Sequence, residues 1–286
     1  MAEDILRKIH ITKIVDAVAN GLKDANQRLP EDIVQALEEA YKHEIVPLSK
    51  QALGYILKNL EIAENMSLPV CQDTGLVSVQ AKIGQLVHIE GGSLEEGIQR
   101  GVRKAYSENS FRASVVNDPL FERKNTGDNT PAIVHVKFTE GDELILSCMP
   151  KGFGSENMSC LKMFPPSTTE DDIVKYVVDA VKQAGANPCP PILLGIGIGG
   201  SFDSVTGLAK EALMLPIGTH HPNEKYARLE SKILDAVNKT GIGVQGFGGN
   251  TTALAVHIKD APTHVAGMPV AICFSCYATR RVEIAI

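Results

Sequence analysis

Apolar residues recur at three- and four-residue steps through the first quarter of the chain. Ile5, Ile9, Ile11, Ile14, Val15, Val18 and Leu22 set that period, Pro30-Glu31-Asp32 opens a second helix, and residues 46–66 read as a third. Residues 3–66 are therefore predicted to be helical. The period then changes: residues 75–83 alternate as a half-buried strand does, and residues 93–106 return to helical spacing. Residues 117–131 are polar and turn-rich, while 132–138 and 143–149 read as two strands joined through a Glu140-Gly141-Asp142 turn. Further on, 168–185, 203–215 and 223–238 are predicted helices, the first with Glu170-Asp171-Asp172 in its opening turn, where carboxylates oppose the helix dipole. Residues 191–198, 252–258 and 270–275 are predicted strands. The pattern predicts an α/β (α+β) fold, a helical N-terminal part (1–66) packed on a mixed-sheet part (67–286) in a single domain. No repeat, linker or low-complexity tract divides it.

Composition narrows the class. The 286 residues are 44% hydrophobic and 22% charged, ordinary globular usage that excludes a disordered chain. Lys+Arg 28 against Asp+Glu 34 gives a net charge of −6 without a run of five like charges, which excludes a nucleic-acid-tracking surface. The acidic start, Met1-Ala2-Glu3-Asp4, is unlike a secretory signal, and no apolar run reaches the roughly 20 residues that span a bilayer. A cytoplasmic protein without a membrane partner is expected. In that compartment the six cysteines are expected to be thiols, metal ligands or redox groups rather than a disulfide framework.

Read singly, the candidate motifs leave the reaction open. The run Gly195-Ile196-Gly197-Ile198-Gly199-Gly200-Ser201 lacks dinucleotide-fingerprint spacing and reads as an anion nest or a plain strand-to-helix turn. Cys273-Phe274-Ser275-Cys276 has no second pair to complete a zinc site, and strand alternation turns its two thiols to opposite faces. Cys276 is the better candidate, because Arg280 and Arg281 follow it and can meet an anion. Cys148 and Cys160 sit in or beside apolar stretches and read as buried thiols. His220-His221 reads as a solvated loop, and His264 as an isolated loop histidine.

Taken in order, several segments resemble the α subunit, or N-terminal half, of class I fumarate hydratases, the iron–sulfur hydro-lyases that also include L-tartrate dehydratase. They are Pro69-Val70-Cys71-Gln72-Asp73-Thr74-Gly75, Asn125-Thr126-Gly127-Asp128-Asn129-Thr130-Pro131 and Lys151-Gly152-Phe153-Gly154-Ser155-Glu156-Asn157. Asn187-Pro188-Cys189-Pro190-Pro191, Pro262-Thr263-His264 and Cys276-Tyr277-Ala278-Thr279-Arg280-Arg281 complete the set. The resemblance implies an iron–sulfur-binding domain whose [4Fe–4S] cluster is held by Cys71, Cys189 and Cys276. The remaining iron is then open to act as a Lewis acid in the reversible dehydration of (S)-malate to fumarate. It also implies that Gln72, Asp73, Arg112, Gly154 and His264 bind the C4 dicarboxylate, with Asp73 and His264 as the catalytic pair that manages the departing hydroxyl's proton. Fumarate and malate are expected ahead of tartrate.

Phe153 departs from the third glycine of many relatives. The chain stops shortly after the arginine pair, so a separate β subunit is expected to supply the C3 base and the rest of the pocket. The expected assembly is a hetero-oligomer of two α and two β chains, in which His264 serves a neighbouring site, and the open iron is expected to be oxygen-sensitive. Two other classes compete: an electron-transfer protein whose cluster takes a fourth thiolate from Cys273 or Cys160, and a cluster-free scaffold.

Overall fold

The computed structural model describes residues 6–286; Ile5, and with it the start of the predicted N-terminal helix, lies outside the described residues. In chain order the elements are β1 (Arg7–His10), α1 (Ile11–Gln27), α2 (Glu31–His43), α3 (Pro47–Met66), β2 (Leu76–Gly84), β3 (Val87–Glu90) and α4 (Leu94–Glu108). Then come β4 (Ile133–Thr139), β5 (Leu144–Lys151), the short α5 (Phe153–Glu156), β6 (Cys160–Phe164), α6 (Glu170–Ala184) and β7 (Ile192–Gly200). The chain closes with α7 (Val205–Leu213), α8 (Glu224–Asn238), a 3-10 turn at Val244–Gly246, β8 (Ala253–Thr263), β9 (Met268–Ser275) and β10 (Val282–Ala285). The mixed α/β class is as the pattern predicts. By packing, the chain divides into two compact units, the first built from the described residues up to Pro30, Ile62–Gly152 and Arg280–Ile286, the second from Glu31–Glu61 and Phe153–Thr279. The N-terminal helices are therefore shared, α1 in the first unit and α2 in the second. Among the described residues no helix is long and apolar enough to cross a membrane.

In the first unit, β2 is a central strand of the sheet β10-β5-β2-β4, antiparallel to β5 and parallel to β4. The predicted β4–β5 hairpin is therefore corrected, because β2 lies between its two strands. The Glu140-Gly141-Asp142 bend passes over the end of β2 instead, accepting Leu86 N–H at Gly141 O, so close that a Cβ on Gly84 would stand 2.4 Å from that oxygen. Ile9, expected in a helix, lies in β1 opposite Ile89 of β3, because His10 caps α1 by accepting the Thr12 N–H and ends the strand there. Ile14, Val18 and Leu22 of α1 and Ile98 and Val102 of α4 close the core over Val77, Val79, Leu144 and Leu146 of the sheet. Gly101 lets the two helices approach, since a Cβ there would meet the Val18 Cβ at 2.6 Å.

In the second unit the order is β6-β9-β7-β8, with β7 parallel to β8 and antiparallel to β9. The run Ile-Leu-Leu-Gly-Ile-Gly-Ile of β7 is buried on both faces, which explains its continuous apolar character. Leu194 and Ile196 join the core with Ile173, Val177 and Val181 of α6 and Ile233 and Val237 of α8. On the opposite face Gly195 and Gly197 admit α7: a Cβ at either would stand 2.1 or 2.2 Å from a carbonyl oxygen of that helix. Gly195 and Gly197 of the run that read as an anion nest are thus helix-packing glycines, while Gly199 and Gly200, at φ 89° and 69°, form the irregular end of β7 that leads into the turn before α7. Asp203 fills the start of that turn, accepting the Ser201 hydroxyl, a bond that holds its carboxyl below the usual carboxylate range.

Candidate active site

In the first unit the segment Cys71-Gln72-Asp73-Thr74-Gly75 links α3 to β2 and is fixed by bonds from distant elements. Val70 N–H donates to Asn26 O at 2.8 Å, the Thr74 hydroxyl to Arg112 O at 2.7 Å, and Asn129 Nδ2 to Gly75 O at 3.0 Å. Asn129 Oδ1 in turn accepts Ser114 N–H at 2.7 Å, so the Arg112 segment is tied to the Cys71 turn twice. Asp73 closes its own turn by accepting Gly75 N–H at 3.0 Å, and the Cys71 thiol donates to Gln72 Oε1 at 3.6 Å. Four of the expected site residues, Cys71, Gln72, Asp73 and Arg112, are thereby brought to one place.

Behind them lies Arg280, offered by the motif reading as a cation for an anion near Cys276 but buried here against α1. Arg280, only 2% exposed, donates from Nη1 to Asn26 Oδ1 at 2.9 Å, while its Nε has no partner among the described residues. Gly152 keeps a gap beside it: a Cβ there would stand 3.2 Å from Asp73 Oδ2 and 3.6 Å from Arg280 Nη2. Tyr106 donates to Thr74 O at 2.5 Å, and burial, opposed by the Arg280 charge and a hydrogen bond with Asn26, pushes its phenol up to about 12. The sequence did carry a signal for this group. Asn26 and Gln27 are polar residues in phase with the buried face of α1.

The second unit holds the other expected residues. Cys189 lies just beyond α6 at φ 56°, its N–H donating to Ala186 O at 3.0 Å, and the Gly154 position faces the same loop, a Cβ there standing 3.7 Å from Asn187 O. Phe153, at the departure from the family pattern, is exposed. Cys276 follows β9, its carbonyl accepting the Thr279 hydroxyl at 2.7 Å. His264 stands exposed between β8 and β9, strands separated in the sheet by β7. Its Nδ1 accepts the Ala266 N–H at 3.1 Å, which leaves the proton of the neutral ring on Nε2. The His220-His221 loop is better built than expected. His221 donates from Nε2 to Asp260 Oδ1 at 3.0 Å and accepts Asn223 N–H at Nδ1, an architectural role next to α8.

All six cysteines are thiols rather than disulfides. Cys71 and Cys276 are half-buried and Cys189 is exposed, whereas burial pushes Cys148 up to about 12 and raises Cys160 against a hydrogen bond from Tyr176. Cys273 is buried beside Glu156 Oε2, 3.7 Å away. Cys273 lies within β9 and Cys276 just beyond its end, so strand alternation does not relate the two thiols. Among the described residues no three His, Cys, Asp or Glu form a single-ion cage. A cluster that gives each thiolate its own iron does not require one, and the three accessible thiols match its donor chemistry.

The sequence profile of the fumarate hydratase (Fumerase) family matches residues 15–285. A Methanocaldococcus jannaschii protein named "Putative L(+)-tartrate dehydratase subunit alpha" is 43% identical over 94% of this chain and 96% of its own. The L(+)-tartrate dehydratase subunit alpha of Escherichia coli K12 is 30% identical over 95% of this chain and 90% of its own.

Proposed function

This chain belongs to the fumarate hydratase (Fumerase) family and is a hydro-lyase subunit, and on that premise we propose that it is the α subunit of a two-chain iron–sulfur enzyme dehydrating a C4 2-hydroxydicarboxylate. L(+)-tartrate is the first substrate. The relatives are named for it, which reverses the order expected from the motifs; the family's own name keeps malate and fumarate as the second reading. The observation that carries the proposal is the Cys71 turn, where Thr74 and Asn129 tie the backbone of the Arg112 segment to the residues that bear a thiol, an amide and a carboxylate.

When bound to Cys71, Cys189 and Cys276, a [4Fe–4S] cluster supplies a Lewis acid for the leaving hydroxyl. Arg112 offers a forked cation for one substrate carboxylate and Gln72 an amide for another oxygen. The exposed Gly154 presents backbone without a side chain to obstruct the substrate. Asp73 and His264 hold and move the proton of the leaving group, His264 from Nε2, since Ala266 fixes Nδ1 as the acceptor. Burial, which raises the Cys160 thiol and encloses Cys273, supports three thiolate ligands rather than four. The β subunit brings the C3 base and the remaining carboxylate contacts, in a reducing, cytoplasmic setting.

The test is turnover by the anaerobically reconstituted chain co-expressed with its β subunit. A site built to bind tartrate's second hydroxyl rejects malate by roughly 100-fold or more in kcat/KM. The reverse preference assigns the enzyme to malate, and no turnover of either acid refutes the proposal. His264→Asn is expected to keep its iron while kcat falls by about 100-fold; an unchanged kcat removes His264 from the reaction.

A further inference from the structure

Two non-glycine residues in the left-handed backbone region meet at one carbonyl. Cys189 has φ 56° and Gln245 φ 54°, and Pro190 O, immediately after the cysteine, accepts both Gln245 N–H at 2.8 Å and Gln245 Nε2 at 2.7 Å. Such backbone persists where its surroundings over-determine it, and it concentrates at functional sites. The loop that carries Gln245 is already held without that side chain. A Cβ on Gly243 would stand 1.8 Å from Gly248 O, so two passes of the loop lie in direct backbone contact. A Cβ on Gly246 would stand 2.6 Å from the Ala186 Cβ, on the residue whose carbonyl also accepts the Cys189 N–H. Beyond it, Gly248 O accepts the Ser49 hydroxyl, and the buried Glu44 carboxylate accepts Ile45, Val46 and Asn250 N–H. What the Gln245 amide adds is a second grip on the peptide next to Cys189.

We propose that Gln245 is a positioning residue for Cys189, fixing the direction in which that thiol meets an iron; the inference rests on the cluster reading above. Groups behind metal ligands typically change metal affinity by about 10- to 100-fold when removed. The full-length chain and Gln245→Ala, which leaves the backbone donor in place, are reconstituted anaerobically with iron and sulfide. Three quantities are read: iron release to EDTA, the melting temperature, and, in the metal-free chain, iodoacetamide alkylation of Cys189 relative to Cys71 by mass spectrometry.

The expected result is iron release about tenfold faster in the variant, with a changed Cys189-to-Cys71 ratio and an unaltered melting temperature. Release at the wild-type rate overturns the proposal. So does faster release with a lowered melting temperature and an unchanged ratio, which marks a merely structural role. If Gln245→Ala does not fold, Gln245→Gly removes the same side chain while relieving φ, and is read by the same criteria. A wild-type chain that takes up no iron overturns the cluster reading and this inference together, an outcome distinct from a variant that behaves like an iron-loaded wild type.

Discussion

At Cys71 the backbone is held by side chains arriving from distant segments, Tyr106 onto Thr74 O, Asn129 onto Gly75 O and Gln27 onto Ser67 O, with Arg280 buried behind. At Cys189 it is held by main-chain contacts, by glycines that let strands of loop touch, and by one amide. The first turn depends on hydrogen-bond satisfaction in a dry interior, the second on the absence of side chains. The two designs respond to different substitutions.

The largest expected effect breaks the second design. Gly243→Ala must place a methyl 1.8 Å from Gly248 O at φ 69°, and is expected to lose about 4 kcal/mol or more in urea unfolding. Gly141→Ala in the first unit shares a positive φ, 84°, but meets nothing within 4 Å, so its loss is expected to be only about 1 kcal/mol. Equal losses would show that φ, not contact, governs these turns. Next in size is Arg280→Met, which leaves Asn26 Oδ1 buried without its donor and is expected to cost about 3 kcal/mol in the same assay. A loss near zero would remove Arg280 from the support of the Cys71 turn.

The distinction explains what the sequence made legible. Cys71, Gln72 and Asp73 stand adjacent in the chain, Asn129 lies in a motif and Arg112 is implied by the resemblance, so the first half of the candidate site could be named before any fold was known. Helical spacing likewise placed α1, α4, α6 and α8. The β4–β5 pairing could not be read, because a tight bend between two strands looks the same whether they pair or accept β2 between them. Gly195 and Gly197 were ambiguous for a related reason: a glycine that admits a helix backbone and one that cradles an anion are identical in sequence. Gln245 carried no local signal beyond its glycine neighbours, since its partner, Pro190, lies 55 residues away.

The smallest effect sharpens the first design. Tyr106→Phe removes the bond to Thr74 O and is expected to cost about 1 kcal/mol near neutral pH. Burial pushes the folded phenol up to about 12 from the ordinary tyrosine value of 10.0. Its contribution is therefore complete below pH 10 and declines as pH rises toward 12, because the unfolded chain loses this proton first. The gap between wild type and variant should narrow over that interval in a pH series of unfolding curves. A gap independent of pH there would mean that the phenol is not shielded as the structure has it.

The central claim, an iron–sulfur hydro-lyase site with one iron left open to substrate, is tested most directly by iron and acid-labile sulfide per chain. Protein reconstituted under strict anaerobiosis is analysed with its visible spectrum read before and after L(+)-tartrate and then (S)-malate. The account predicts about four irons and about four sulfides, with a spectrum that shifts on adding the dicarboxylate. A chain without iron, or a stable cluster blind to both acids, would contradict it.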